Sequence, residues 1–345
     1  VHGVISSGVV WLCVGVGVAC GGGQASHVRK PSSSTASAPP IVKAKVPDAS
    51  PSVQQGETWL AQGKMAEAEG AFRQALVEQP SDARAYFDLG LVLEHKQQPE
   101  AAMHAYQKAI HLQPEFKEPK TNLALLYRDQ GKLQEAEVLL KQVVELDPTD
   151  GEAVLNLALT LEDEGKVDQA KEKYHSAITL LPNDPLPRVN VGLLLLNQGK
   201  TAQARTVLTD AMPLAKGDRA LLTAIGNGLR RAGDGKGALR ALEQAVASGA
   251  SKAPDSLLAE LALAQRAAGD RHAAIATLTQ LVDTSPGYAL GHYVLANFLA
   301  AEKRYQEAIP HYKRYLALEP RGAEASNAKK RLSAAQDAMK RHESK

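Results

Sequence analysis

The sequence predicts an all-α protein, a solenoid of eight helix pairs closed by one further helix. Three observations predict it: alanines recur 34 residues apart, a large side chain follows each alanine by four positions, and prolines close several of the units. A content of only 4% aromatic residues is typical of closely packed helices and unlike a β-sandwich. A unit of 34 residues makes two helices and two turns. The length of 345 residues therefore reflects the number of stacked units and not a number of globular domains.

Each position class of the unit has a structural reason. The alanine series is Ala68, Ala102, Ala136, Ala170, Ala204, Ala238, Ala274 and Ala308, with one two-residue insertion before the last two. The large residues four positions later are Phe72, Tyr106, Leu140, Tyr174, Leu208, Leu242, Leu278 and Tyr312. A second small residue, twelve positions before each alanine, lets the two helices approach, and the large side chain fills the gap beside them. Glycines 63, 131, 165, 199, 233 and 269 are predicted to end first helices in the left-handed conformation.

This pattern closely resembles the tetratricopeptide repeat. The resemblance implies a right-handed α-solenoid with repeats at 49–82, 83–116, 117–150, 151–184, 185–218, 219–254, 255–288 and 289–322. Residues 323–345 then form a capping helix with a basic tail, in which Ala328, Leu332, Ala335 and Met339 make one apolar stripe. The basic residues between them are interpreted as a solvated face.

In such repeats the first helices line a concave surface, so the candidate binding residues are sought there. Positions within a repeat are numbered from its first residue and are called frame positions. Frame position six of the third, fourth and fifth repeats carries Asn122, Asn156 and Asn190. An asparagine amide offers a donor and an acceptor, so a row of amides could hold the backbone of an extended peptide. The row resembles the asparagine ladder of the O-linked N-acetylglucosamine transferase. The alternative is that these asparagines only help helix–helix contacts or are solvated.

Apolar residues on the same helices extend the predicted peptide site. They are Leu91, Leu125, Leu159, Leu193 and Leu263 at the ninth position of their repeats, and Phe87, Leu155, Val189 and Tyr293 at the fifth position. A contiguous apolar stripe marks an interaction surface if it is exposed. The alternative is that half of these residues belong to the core.

The amino-terminal segment predicts a membrane tether. Residues 4–19 are apolar, and this run is shorter than the about 20 residues that a membrane span needs. Its length indicates that residues 1–19 are a signal peptide. Gly17-Val18-Ala19-Cys20 resembles a bacterial lipobox, which implies lipid attachment at Cys20. An ordinary cleaved signal or an uncleaved anchor is the alternative. Residues 20–48, rich in Ser, Ala, Pro and Gly, are predicted to be a disordered linker.

The composition argues against several function classes. A net charge of +2 gives no electrostatic case for nucleic acid. Both cysteines, Cys13 and Cys20, lie in the first twenty residues, so the repeats have no thiol for catalysis or metal binding. No phosphate-binding loop, His-Glu-x-x-His or Gly-x-Ser-x-Gly motif is present. The expectation is therefore a protein that is not an enzyme, with no cofactor, no metal and no small-molecule substrate.

Together these patterns predict a non-catalytic scaffold that holds a protein or an extended peptide in its concave groove. The resemblance to bacterial repeat lipoproteins, such as the pilotins of type IV pili, implies an outer-membrane lipoprotein that faces the periplasm of a Gram-negative bacterium and assists envelope assembly. Two alternatives stay open, a structural subunit of a motility or secretion machine and an adaptor of peptidoglycan enzymes.

Overall fold

The protein is described by a computed structural model that covers residues 50–249 and 251–343. In chain order its helices are α1 (Pro51–Ala61), α2 (Met65–Glu78), α3 (Ala83–His95), α4 (Pro99–Leu112), α5 (Lys117–Asp129), α6 (Leu133–Leu146), α7 (Gly151–Asp163), α8 (Val167–Leu180), α9 (Pro185–Asn197), α10 (Thr201–Ala211), α11 (Arg219–Arg231), α12 (Gly235–Ala247), α13 (Asp255–Ala267), α14 (Arg271–Thr284), α15 (Ala289–Ala301), α16 (Tyr305–Leu318) and α17 (Ala325–Glu343). The predicted signal segment, Cys20 and the predicted linker lie outside the described residues.

The helices pack as antiparallel pairs, from α1 with α2 to α15 with α16, and each pair stacks on the next. The last helix, α17, packs on α16 in the place where the first helix of another pair would lie. The described residues contain helices, turns and loops but no strand. The prediction of an all-α helical-repeat solenoid is thus confirmed.

Every turn between the two helices of a pair contains a residue with positive φ. The glycines predicted for this role have φ angles of 73° (Gly63), 75° (Gly131), 78° (Gly165), 73° (Gly199), 79° (Gly233) and 99° (Gly269). In the second and eighth pairs the same turn is made by Gln97 and Lys303, with φ of 59° and 61°. The turn geometry is therefore common to all eight pairs, and in two of them a residue with a Cβ adopts a conformation that favours glycine.

The paired small residues allow close approach of the two helices in a pair. A Cβ atom added at Gly56 would lie 2.6 Å from the ring of Phe72, and one at Gly192 would lie 2.5 Å from Leu208. All eight alanines of the main series are completely buried at 0% exposure. The large side chain thus occupies the space that a β-carbon on the facing helix would need.

Aspartates cap four of the first helices. Asp82, Asp150, Asp184 and Asp218 accept hydrogen bonds from backbone N–H groups in the first turns of α3, α7, α9 and α11. These aspartates recur at the same position of the repeat, with a period of 34 residues. Before α5 that position is occupied by Phe116. Each cap stabilises its helix by about 1 kcal/mol.

The core consists of three adjoining apolar clusters. The first runs from α1 to α5, the second from α5 to α13 and the third from α13 to α17. On α17, Ala328 and Ala335 are buried and Leu332 is partly buried against the third cluster. The apolar stripe of α17 therefore covers the end of the stack.

Candidate functional site

The first helices of the pairs form the inner face of the solenoid. Contacts join α9 to α11, α11 to α13, α13 to α15 and α15 to α17, whereas the described second helices make no comparable contacts with one another. Ten of the 13 residues of α9 are buried, against three of the 11 residues of α10. Helices on the inside of a curved stack are closer together than those outside, so the odd-numbered helices line the concave surface.

The three predicted asparagines lie in different surroundings. Asn122 is half-buried, and its amide donates a hydrogen bond to the hydroxyl of Tyr106 at 3.3 Å. Asn156 is half-buried, whereas Asn190 is completely buried at 0% exposure because α9 is enclosed on nearly all sides. The prediction that Asn190 belongs to an exposed ladder is therefore wrong, and no uniform row of three amides faces a groove.

Most of the predicted apolar stripe belongs to the core. The buried members are Phe87, Leu155, Leu159, Val189, Leu193 and Tyr293. Leu91, Leu125 and Leu263 remain partly exposed. The expectation of an exposed apolar stripe is corrected for the six buried residues, which pack inside the helical stack.

Acidic residues at frame position six are also buried on this face. Asp88 accepts a hydrogen bond from Arg84 at 2.8 Å, and Glu260 lies 3.4 Å from the guanidinium of Arg230. Burial raises the pKa of Asp88 to about 7, and the charge of Arg84 acts against this rise. Burial likewise raises the pKa of Glu260. Each of these buried carboxyl groups therefore lies beside an arginine of the protein itself.

An open part of the inner face lies at its carboxyl-terminal end. A cavity of about 470 Å³ opens there between α13, α15 and α17, with α16 behind it. Its apolar lining comes from Leu263, Val294 and Phe298, and its polar lining from Asn297, Tyr305 and Tyr312 together with two arginines. The hydroxyl of Tyr312 donates to Asn297 at 2.8 Å, which fixes the amide against the floor.

Alanines create the space for this cavity. Ala300, Ala301, Ala334 and Ala335 occupy frame positions twelve and thirteen of α15 and α17 and all line it. The same two positions carry larger side chains in α3, α5, α7, α9 and α11, for example Glu162 and Asp163 in α7. The cavity therefore arises from a local change of side-chain size on an otherwise regular stack.

Two arginines border the cavity on opposite sides of α15. Arg266 of α13 lies over the ring of Phe298, 4.3 Å from its centroid. Arg331 of α17 lies on the other side and is exposed. Arg331 belongs to the basic run interpreted as a solvated face, and continuing the 34-residue frame through α17 would have placed it at position nine, in the predicted binding row.

A second, larger cavity of about 660 Å³ lies outside the inner face. It is formed between α2 and α4 over α3, and its lining includes Leu76, Val77, Leu89 and His104. Val77 is 75% exposed, so this groove is shallow at its edge. The smaller inner cavity is the better candidate because it combines a concave apolar floor with convergent polar groups.

Neither a metal site nor a membrane span is found in the described part of the chain. Across residues 50–249 and 251–343, no group of three or more His, Cys, Asp or Glu side chains could hold a metal ion. In the same residues no helix has both the length and the apolar content that a bilayer crossing requires.

Comparisons with known proteins agree with the repeat architecture. A family model described as the TPR domain of cytochrome c-type biogenesis protein H matches residues 42–187, and a tetratricopeptide-repeat model matches residues 259–326. A search of curated protein sequences found no significant match.

Solved structures with a similar fold include a tetratricopeptide-repeat protein from Parabacteroides merdae. It is 14% identical with a TM-score of 0.53 over 72% of this chain and 97% of that one. The Cut9–Hcn1 hetero-tetramer of the APC/C is 22% identical with a TM-score of 0.49 over 82% of this chain and 55% of that one. This chain thus spans about half the length of that subunit. PilF from Pseudomonas aeruginosa is 21% identical with a TM-score of 0.47, over 72% of this chain and 96% of that one.

The stacked helix pairs and their concave face define a helical-repeat protein of the class that binds other proteins. The turn residues, the small-to-large packing and the two matching family models make the assignment specific. The chain belongs to the tetratricopeptide-repeat family.

Proposed function

We propose that this protein is a non-catalytic scaffold that holds a polypeptide partner against the carboxyl-terminal end of its inner face. The observation that carries the proposal is the cavity between α13, α15 and α17, where a concave apolar floor meets convergent polar side chains. Along α7 and α9, ten of the 13 residues of each helix are buried. A partner would therefore engage the end of the array first.

In-cell photocrosslinking tests this placement. A photoreactive residue at Ala334, which lines the cavity, is expected to capture a protein partner. The matched control is Val138, which is 55% exposed on the second helix α6 and far from the cavity in the chain. Equal capture from both positions, or capture only from Val138, would contradict the proposal.

The proposal extends to a lipoprotein anchored at Cys20 in the outer membrane, facing the periplasm. It is supported by the apolar run at 4–19 and by the lipobox-like residues that end at Cys20. Metabolic labelling with palmitate should depend on Cys20 and persist in a Cys13→Ser control. Label that survives Cys20→Ser would remove the anchor from the proposal.

We propose that the bound partner is a component of an envelope assembly such as a pilus or secretion machine. The protein would assist the assembly of that component, as a pilotin does. A second candidate is a component of c-type cytochrome assembly, which the description of the family model over residues 42–187 favours. Identification of the protein crosslinked at Ala334 separates the two. A partner that co-purifies in fixed stoichiometry would instead favour a permanent structural subunit.

A further inference from the structure

Three other arginines of the first helices lie beside a carboxylate, unlike the two at the inner cavity. Arg84 pairs with Asp88, Arg128 lies 3.8 Å from Asp163 and Arg230 lies 3.4 Å from Glu260. Among the described residues, no carboxylate lies within ion-pair distance of Arg266 or Arg331, and no acidic residue lines the cavity. The cavity therefore presents two positive charges that the protein itself does not neutralise.

Both charges lie beside an aromatic side chain. The guanidinium of Arg266 stacks on Phe298, which orients it along the cavity wall. Arg331 lies close enough to Tyr312 for its charge to oppose the rise in the pKa of that buried hydroxyl. A carboxylate that approaches the rim would thus meet two guanidinium groups, to which it can make charge-assisted hydrogen bonds.

The floor of the cavity has the size and chemistry for an apolar side chain. Its volume of about 470 Å³ lies within the about 300–1,000 Å³ of ordinary ligand pockets. Phe298, Leu263 and Val294 provide the apolar wall, and the alanines leave the space unfilled. A leucine, methionine or phenylalanine can enter there while its chain neighbours remain at the rim.

We propose that this cavity binds a polypeptide segment in which acidic side chains flank one large apolar side chain. The apolar side chain enters the space above the alanines, and the flanking carboxylates pair with Arg266 and Arg331. This inference rests on the proposed function, because it names the chemistry of the partner at the same site. Charge complementarity favours an acidic segment over a neutral or basic one.

A selection experiment tests the proposal with the full chain. An amide-capped library of random decapeptides is selected against the wild-type protein and against Arg266→Glu/Arg331→Glu. The control is Lys329→Glu/Lys330→Glu, which makes the same change in net charge on α17 at exposed residues that do not line the cavity. All the altered side chains are exposed, and thermal unfolding of each variant verifies that it is folded.

The expected result is that the wild type and the lysine variant select peptides with Asp or Glu next to Leu, Met or Phe. Individual selected peptides should bind the arginine variant at least about tenfold more weakly, as expected for like charges brought together. In Ala334→Trp, which fills the floor but leaves both arginines, the preference for a large apolar residue should disappear.

Four outcomes would overturn the proposal. Selected peptides without an acidic preference, or with one that survives the arginine reversal, would do so while leaving polypeptide binding in place. Selection only from a library with free carboxyl termini would assign the cavity to chain ends. Failure to select any peptide, together with no capture at Ala334 in cells, would remove the proposed function as well.

Discussion

The hydroxyl of Tyr174 donates a hydrogen bond of 2.6 Å to the carboxylate of Glu162, and both side chains are buried. Tyr106 and Glu94 make the same bond at 2.9 Å two repeats earlier. These residues occupy frame positions 24 and 12 of their repeats, and repeats with leucine at position 24 have no glutamate at position 12. In the eighth repeat position 12 is Ala300, and Tyr312 donates to Asn297 instead. Each tyrosine at position 24 therefore has a polar side chain that accepts the hydrogen bond of its hydroxyl.

Loss of the tyrosine hydroxyl should destabilise the fourth repeat. Burial raises the pKa of Glu162, and the hydrogen bond from Tyr174 acts against this rise, so the bond stabilises a buried negative charge. We expect Tyr174→Phe to lower the free energy of unfolding by about 2 kcal/mol in urea titrations at pH 7. In a Glu162→Gln background the same change should cost less, because the acceptor is neutral. An equal cost in both backgrounds would contradict this account.

Asp88 should make the stability fall as the pH rises from 4 to 7. Its pKa in the folded protein is about 7, and that of an unfolded aspartate is about 3.9, so between these values the folded state binds the extra proton. The contribution is fully present below pH 4 and is lost as the pH rises through the folded pKa. Relative to Asp88→Asn, the wild type should lose on the order of 1 kcal/mol per pH unit in this window. A difference that does not vary with pH would refute the assignment.

Glycine should stabilise the two turns that lack it. Gln97 and Lys303 have positive φ and are exposed, so only backbone strain is at stake. We expect Gln97→Gly and Lys303→Gly each to raise the free energy of unfolding by about 1 kcal/mol, since the relief of strain exceeds the entropy cost of glycine. The reverse change Gly131→Gln, at a site with open space around the missing Cβ, should lower it by a similar amount. Destabilisation by the glycine variants would show that these turns are not strained.

A histidine pair on α15 and α16 should weaken the eighth repeat at low pH. His292 and His311 face each other with their Nδ1 atoms 3.0 Å apart, and Nε2 of His292 lies 3.2 Å from the carbonyl oxygen of Pro286. Because that carbonyl can only accept, His292 donates from Nε2 and its Nδ1 accepts the proton of His311. A further proton on His292 would break this bond.

Burial lowers the pKa of both histidines. The charge of Arg314 lowers the pKa of His292 further. The charges of Asp283 and Glu307 act against the lowering of the pKa of His311. For a base with a lowered pKa, stability is fully present above the unfolded value of about 6.5 and is lost as the pH falls towards the folded value. Hydrogen exchange in α15 and α16 should therefore be faster at pH 5 than at pH 7 after correction for the intrinsic rates. His311→Asn should reduce this difference, and an unchanged difference would exclude the pair as its cause.

The sequence predicted the repeat unit well because the unit is local. The left-handed glycines, the helix pairs and the small-to-large packing each involve residues within one 34-residue period, so their spacing alone indicates the contact. Gln97 and Lys303 lie at the turn position of the repeat and adopt its positive-φ conformation although neither is glycine. The binding surface was predicted less well, because the exposure of a residue such as Leu159 or Asn190 depends on how closely neighbouring first helices approach.

What the sequence determined by itself is the architecture, because each repeat carries the complete set of positions needed to pair its own helices and to stack on the next. What only the tertiary structure decided is which inner-face side chains are buried and where the inner cavity opens. The packing of α7, α9 and α11 buries side chains that the frame places on the inner face, whereas four alanines near the end leave a space. The reason is that exposure on a curved stack is set by distances between helices in different repeats, and the spacing within one repeat does not contain those distances.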